Sequence, residues 1–312
     1  MYKRQYQYGS LSQKIINNEH KPSKIDSVIY NGLIDIDKTI LFDNNQILII
    51  KKGSTINFTN NANLILKGGI EIQGTDSNPV KIFNSDSTRS SILVVNAKRN
   101  STVSNTHFYR LSSLSEGIWT NTSAVTFYNS NVKIINSRFI NNIEGDDALN
   151  IVNTISYSID GCVFSEILSD AIDIDYSDGL ISNSTFKKIG NDAIDFSGSN
   201  SKIINCLITD AGDKGVSAGE NSTLTVETSN ISKSKFGIVS KDLSSVLSLN
   251  NSFDKNKYDF SVYNKKEEYG PAILNDKKSI GAKVILLQDE SMININSDNL
   301  IFEKFDYKII DN

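Results

Sequence analysis

Through most of this chain, apolar and polar residues alternate in short runs, and each run is closed by Asn, Gly, Ser or Asp. Alternation with period 2 marks a strand with one buried face, and these closing residues are the ones that turn a backbone. The runs repeat. Ser123-Ala-Val-Thr-Phe, Asp147-Ala-Leu-Asn-Ile, Asp170-Ala-Ile-Asp-Ile, Asp192-Ala-Ile-Asp-Phe, Lys214-Gly-Val-Ser-Ala, Phe236-Gly-Ile-Val-Ser and Tyr258-Asp-Phe-Ser-Val follow one another at steps of 24, 23, 22, 22, 22 and 22 residues. A second repeat runs out of phase with the first: Asn105-x-x-Phe108, Asn136-x-x-Phe139, Asn183-x-x-Phe186, Asn205-x-x-Ile208 and Asn250-x-x-Phe253, with Asp160 and Phe164 fitting if one residue is added.

A period near 22 residues admits two main solenoids, the leucine-rich repeat and the β-helix. The first requires a Leu-x-x-Leu-x-Leu frame and often a helical half. Here no part of the repeat shows a 3.6-residue spacing, so the pattern predicts an all-β right-handed parallel β-helix, each coil made of short strands stacked on the next coil about 4.8 Å away. Equivalent residues then form columns. Phe139, Phe186 and Phe253 stack inside, as do Ile172 and Ile194, and Asn136, Asn183 and Asn205 form a turn column whose amides bond along the stack. Shorter strand patterns at Ile47 to Lys52, Thr55 to Phe58, Asn63 to Leu66 and Ile70 to Ile72 read as the opening coils. The expected organisation is an irregular segment, a cap or the remnant of an upstream domain over residues 1–30, the β-helix over 31–275, and a C-terminal β segment or cap over 276–312.

Composition adds three things. Asp and Glu number 14 against 4 Lys and Arg from Ile140 to Glu220, a local net of −10, although the whole chain carries only −4. Nucleic acid is excluded as a partner of that stretch, because phosphates are repelled there; cations, or sugars in need of hydrogen-bond acceptors, suit it. The two cysteines, Cys162 and Cys206, fall two coils apart and roughly 10 Å from one another, too far for a disulfide. They read as packing residues, and the two histidines, His20 and His107, fit no metal-binding spacing. No run of 18 apolar residues predicts a transmembrane span, and the basic start Met1-Tyr-Lys-Arg-Gln5 is followed by no apolar stretch of the kind an export signal needs.

The register identifies what faces outward. In Asp170-Ala-Ile-Asp-Ile-Asp175, Ile172 and Ile174 point inward, so Asp173 and Asp175 point out. One outward column reads Asn150, Asp173, Asp195, Ser217, Val239; a second reads Val152, Asp175, Ser197, Gly219, Lys241; a third, at the strand starts, reads Asp147, Asp170, Asp192, Lys214. Asp173 and Asp195 are expected roughly 5 Å apart. Carboxylates that close raise one another's pKa or take a cation between them, and strain of this sort confined to two or three coils marks a site. Asp173, Asp195, Lys214 and Lys241 are the candidate catalytic residues. Asp173, Asp175 and Asp195 are the candidate ligands of a metal, Ca²⁺ by their all-oxygen chemistry. Asn150, Asp147, Asp170, Asp192 and Ser217 are the candidate substrate contacts. The plain alternative for Asp147, Asp170 and Asp192 is a turn column like that of the asparagines, and Lys214 then only neutralises Asp192. Trp119 and Tyr128 are either a sugar-stacking platform or packing.

By its period, its stacked Phe/Ile and Asn columns, and its Gly145-Asp-Asp-Ala-Leu-Asn150 and Asn191-Asp-Ala-Ile-Asp195 stretches, the region of about residues 40–275 resembles the right-handed parallel β-helix proteins of the pectin-lyase-like superfamily. The resemblance implies polysaccharide lyases, epimerases and hydrolases, or else tail fibres and adhesins, as functional relatives. For pectate-lyase-like enzymes it implies acidic Ca²⁺ ligands on this kind of face and a basic residue, here Lys214 or Lys241, that removes the proton beside a uronate carboxylate. For polygalacturonase-like hydrolases it implies clustered Asp acting as acid and base, yet no Gly-His-Gly or Arg-x-Lys stretch accompanies the Asp cluster here. The reading is thus a polysaccharide-active protein, lyase- or epimerase-like on an acidic glycan, with a non-catalytic surface, adhesion or carbohydrate-binding module as the alternative, working outside the cell or in its envelope.

Overall fold

The computed structural model describes residues 25–288, 290–295 and 300–304. All regular structure among them is β. Three parallel sheets of 12, 10 and 12 strands wrap one axis; through most of the chain consecutive members of a sheet are three strands apart, so a coil contributes one strand to each face, and beyond Ser252–Asp254 only the first and third sheets continue. The wind is right-handed, as parallel crossovers are. One coil is Asp178–Ser182 on the first face, Thr185–Ile189 on the second and Ile194–Ser197 on the third. A small antiparallel hairpin, Leu114–Glu116 with Trp119–Asn121, stands outside the three sheets.

The inward residues make one continuous core running the length of the solenoid. Phe108, Phe139, Phe164 and Phe186 stack face to face with centroids 4.7, 4.7 and 5.0 Å apart, the coil spacing itself; Ile208, Ile231 and Phe253 continue the column. Each such ring pair contributes roughly 0.5–1.5 kcal/mol beyond its buried area.

The corners explain the Asn and Ser content. Asn105, Asn136, Asn183, Asn205 and Asn250 all sit in the left-handed region, with φ between 45° and 55°, which Asn tolerates better than most side chains. Asn205 Nδ2 donates to Asn183 Oδ1 at 2.7 Å, and Asn183 Nδ2 to Asp160 Oδ1 at 2.7 Å. At the opposite corner, buried hydroxyls satisfy backbone donors one coil back: Ser177 accepts from Thr154 N, Ser199 from Ser177 N, Ser222 from Ser199 N and Ser244 from Ser222 N, all at 2.9–3.1 Å. A buried N–H left unpaired costs roughly 1–3 kcal/mol, so these ladders make the tight corners of the coils between Thr154 and Ser244 tolerable.

Two boundaries differ from expectation. Asp26–Tyr30 already pairs with Gln46–Ile50, so the solenoid begins inside the segment expected to be irregular; residues 1–24 lie outside the described part. At the other end Ile273–Lys277, Val284–Leu287, Met292–Ile295 and Ile301–Lys304 extend the same ladders, so the boundary expected at 275/276 falls inside a strand and the expected C-terminal β segment continues the β-helix.

Candidate active site

The third sheet carries the acidic strip. Pairing runs Asn150 to Asp173 to Asp195 to Ser217 to Val239 and, beside it, Val152 to Asp175 to Ser197 to Gly219, the registers read from the sequence. Alternation places these side chains outward, while Ile172, Ile174, Ile194 and Phe196 are fully buried within. The strip is bracketed by apolar patches on the same outward face. Towards the start, Leu114 and Trp119 of the hairpin cover Ile65, Leu93 and Val95. Towards the end, Phe236, Val239, Tyr263 and Leu286 form another cluster, with Tyr258 against it. Between hairpin and acids opens a cavity of about 520 Å³ lined by Arg89, Leu114, Thr120, Asn121, Glu144 and Asp146 among others.

The strand-start column is an acceptor ladder. Asp170 Oδ1 accepts from Asp192 N at 2.8 Å and Asn191 Nδ2 at 2.7 Å, and Asp192 Oδ1 accepts from Lys214 N at 2.9 Å. Ser123 Oγ donates to Asp147 Oδ2 at 2.5 Å. The turn-column reading of these three residues therefore describes their hydrogen bonds. It does not exhaust them, because several carboxyl oxygens converge: Asp146, Asp147 and Asp170 form one trio of oxygens within 4.8 Å of one another, and Asp170, Asp192 and Asp195 form a second. Of the residues expected to hold a metal, Asp195 belongs to a trio, whereas Asp173 and Asp175 belong to neither.

Electrostatics separates the carboxyls. Burial, reinforced by Asp147, Asp175 and Asp195, pushes Asp173 up to about 9. Burial pushes Asp147 up to about 7, Ser123 opposing and Asp146 and Asp170 adding to it. Asp170 reaches about 6, again by burial, against the Asp192 N–H. Burial and the Asp195 charge also raise Asp175. Asp173 keeps one short neutral partner, with Asn150 Nδ2 3.1 Å from its Oδ2. Asp195 instead faces Lys241 Nζ at 3.8 Å.

Lys241 reaches Asp195 through a gap. A Cβ built on Gly219 would lie 2.7 Å from Lys241 Cε, so the missing side chain is the space the lysine stem occupies. Lys214 contacts Asp192 at 3.2 Å and also pairs with Asp213. Burial acts to lower both lysines, but the facing carboxylates outweigh it and both are raised. Each is thus held as an ammonium group, a cation for the strip and not a free base.

A family model described as "Right handed beta helix region" matches residues 147–303, just over half of the chain. This protein belongs to the right-handed beta helix region family. Searching curated proteins gives no significant match. Among solved structures, this β-helix is similar to tailspike protein 2 from Escherichia coli O157:H7 bacteriophage CAB120 (11% identity, 89% of this chain and 42% of that one, TM-score 0.47). It is also similar to an alginate lyase from Paenibacillus sp. str. FPU-7 (11% identity, 85% of this chain and 98% of that one, TM-score 0.40). A third is endopolygalacturonase I from Stereum purpureum (11% identity, 90% of this chain and 95% of that one, TM-score 0.34). The chain thus spans 42% of the length of that tailspike.

Four parts of the site escaped the sequence reading. Asp146 completes one carboxyl trio. Asp213 pairs with both Lys214 and Lys235. Tyr263, one coil beyond Lys241 in register, is buried, which pushes its hydroxyl up to about 12. The hairpin is the fourth, and its signal was present: the Asn column steps 31 residues from Asn105 to Asn136, against 22 from Asn183 to Asn205. Trp119 packs in that hairpin's apolar cluster, while Tyr128 is exposed.

Proposed function

We propose that the outward face of the third sheet is the active site of a glycan-active enzyme in which Asp173 donates a proton and Asp195, its neighbour one coil on, acts as the paired carboxylate. The observation that carries this reading is the contrast within one stacked pair: Asp173 is pushed up to about 9 by burial and neighbouring carboxyls, whereas Asp195 faces an ammonium group at 3.8 Å. Two adjacent carboxyls with different protonation environments are the elements of acid and base catalysis at a glycosidic bond. Of the residues expected to contact substrate, Asp170 is half-buried on this face and is the contact for a sugar hydroxyl, whereas Asn150, Asp147, Asp192 and Ser217 are buried and support the strip from beneath. A strip of six aspartates against Lys214 and Lys241 repels anionic sugars, so a neutral glycan, one met in the cell envelope or outside the cell, is the substrate class this reading selects.

A second reading is favoured by the carboxyl trios. Oxygen-only donors in a trio fit Ca²⁺, which takes six to eight such ligands; Asp170 and Asp195, with Asp192, are the residues that would hold it. Bound there, Ca²⁺ supplies the positive charge that draws a uronate carboxylate and acidifies the neighbouring C–H, the requirement of a lyase or epimerase. Both oxygens of Asp192 face Lys214 Nζ, at 3.2 and 3.3 Å, so the cation competes with that ammonium group. Incubation with neutral and uronate glycans, with and without EDTA, separates the two. New reducing ends from a neutral glycan, insensitive to EDTA and lost in Asp173→Asn, support the first reading. An unsaturated ultraviolet-absorbing product from uronates, lost with EDTA, replaces it with the second. Binding without product replaces both with a carbohydrate-binding module.

A further inference from the structure

On the second sheet, a different face from the acidic strip, the outward column reads Leu33, Thr55, Lys81, His107, Arg138, Val163, Thr185 and Leu207. Two cations, Lys81 and Arg138, flank the titratable His107 on three consecutive coils of a column otherwise uncharged over these positions. Adjacent coils lie about 4.8 Å apart, and like charges directly opposite one another destabilise a sheet. The neighbouring outward column offers no relief, because beside these three residues it carries Phe83, Tyr109 and Ile140. Neither Lys81 nor Arg138 takes part in an ion pair between described residues, and no acid pairs with His107 there. Lys81 and Arg138 are exposed and His107 is half-buried.

His107 and Arg138 line a cavity of about 200 Å³ together with Thr75, Asn105, Asn136 and Asp76. Asn105 and Asn136 hold the corner in the left-handed conformation. In the next coil Gly161 replaces them: a Cβ there would lie 2.4 Å from Asn136 Oδ1, so the glycine leaves the Asn136 amide its place at the cavity edge. Asp76 is the one carboxylate in the lining and is exposed. Asp160, at the next corner, has its Oδ1 taken up by Ser182 and Asn183, both at 2.7 Å.

We propose that the Lys81–His107–Arg138 ladder is a binding site for a tetrahedral oxyanion, sulfate or phosphate, free or carried on a glycan. An oxyanion seated over this column takes charge-assisted hydrogen bonds from Lys81 and Arg138, with Arg138 able to bind two oxygens at once, and favours the protonated form of His107 between them. Consistent with this, burial and then the charges of Arg138 and Lys81 lower the His107 pKa, with no acid opposing them. The site is independent of the proposed catalytic strip and stands or falls without it.

The two histidines, His20 and His107, make the test direct: the His107 ring is followed by NMR through a pH titration, assigned by His107→Gln. In sodium chloride its midpoint lies below 6.5, the usual histidine value. Replacing the chloride with sodium sulfate at equal ionic strength raises the midpoint saturably by about half a unit or more, since a bound anion favours imidazolium. In Lys81→Gln/Arg138→Gln the midpoint is already higher in chloride and sulfate moves it no further, while Asp76→Asn lowers the sulfate concentration needed. Both replaced side chains are exposed, and melting at the wild-type temperature confirms the fold. A sulfated disaccharide that saturates the shift at lower concentration than inorganic sulfate assigns the anion to a glycan; equal potency assigns a free anion. The proposal is overturned if sulfate moves His107 no more than chloride of equal ionic strength, or moves it equally in the double variant.

Discussion

Replacing Asp173 by Asn is expected to stabilise the fold at neutral pH while removing activity. Burial and the carboxyls around it push Asp173 from the ordinary 3.8 up to about 9. A carboxyl raised on folding contributes stability that is full below its unfolded pKa and is lost as pH rises through the folded one, because the unfolded chain gives up the proton first. Between pH 3.8 and 7 the wild type thus loses up to ~4 kcal/mol at 1.36 kcal/mol per pH unit. Solvent reaching this half-buried side chain reduces that to roughly 2 kcal/mol. Asn has nearly the same shape, keeps a neutral group beside Asn150 and has no proton to lose. The difference in melting temperature between variant and wild type should be small at pH 4 and grow steadily to pH 8, reaching about 4 °C at roughly 2 °C per kcal/mol for a chain of this size. Thermal unfolding by circular dichroism across that range is the assay. A variant that melts below the wild type at pH 8, or a difference that does not change with pH, refutes the reasoning that Asp173 is held protonated.

Three further outcomes follow from the same geometry. Lys241→Met removes the cation facing Asp195 and should lower stability at pH 7 by ~2 kcal/mol, an effect that shrinks near pH 4 as the strip takes up protons; Gly219→Ala, by pushing on the Lys241 stem, should reproduce part of it in the same melts. Phe164→Ala empties the middle of the ring stack and should cost about 4 kcal/mol, seen as a large fall in melting temperature at every pH. If the carboxyl trios hold Ca²⁺, millimolar Ca²⁺ should raise the melting temperature of the wild type and not of Asp170→Asn/Asp195→Asn; no rise in either protein removes the metal reading.

The sequence made the solenoid legible because a coil repeats its own solution. Once Asp147, Asp170, Asp192 and Lys214 are seen at steps of 23, 22 and 22 residues, strand pairing is fixed, and the Asp173 and Asp195 columns follow from alternation alone. What breaks the repeat was not legible in the same way. The hairpin at Leu114–Asn121 is an insertion whose partners, Leu93 and Ile65, lie one and two coils back, so nothing local announces where it folds. Lys241 was placed in the right column, but its reach to Asp195 depends on the Gly219 gap, a three-dimensional fact. Protonation was the least legible property, because the raised pKa values of Asp173 and the lysines are set by how six carboxyls and two ammonium groups share one half-buried face.

The most direct test of the account is product formation by wild type, Asp173→Asn and Asp195→Asn on a panel of neutral and uronate glycans, followed by reducing-end and ultraviolet assays. The expected result is cleavage of a neutral glycan by the wild type, with a loss of at least about 100-fold in either variant, the scale of a missing acid or base. Cleavage that survives both substitutions, or no cleavage of any glycan by the wild type, contradicts the claim that this acidic strip is a catalytic site.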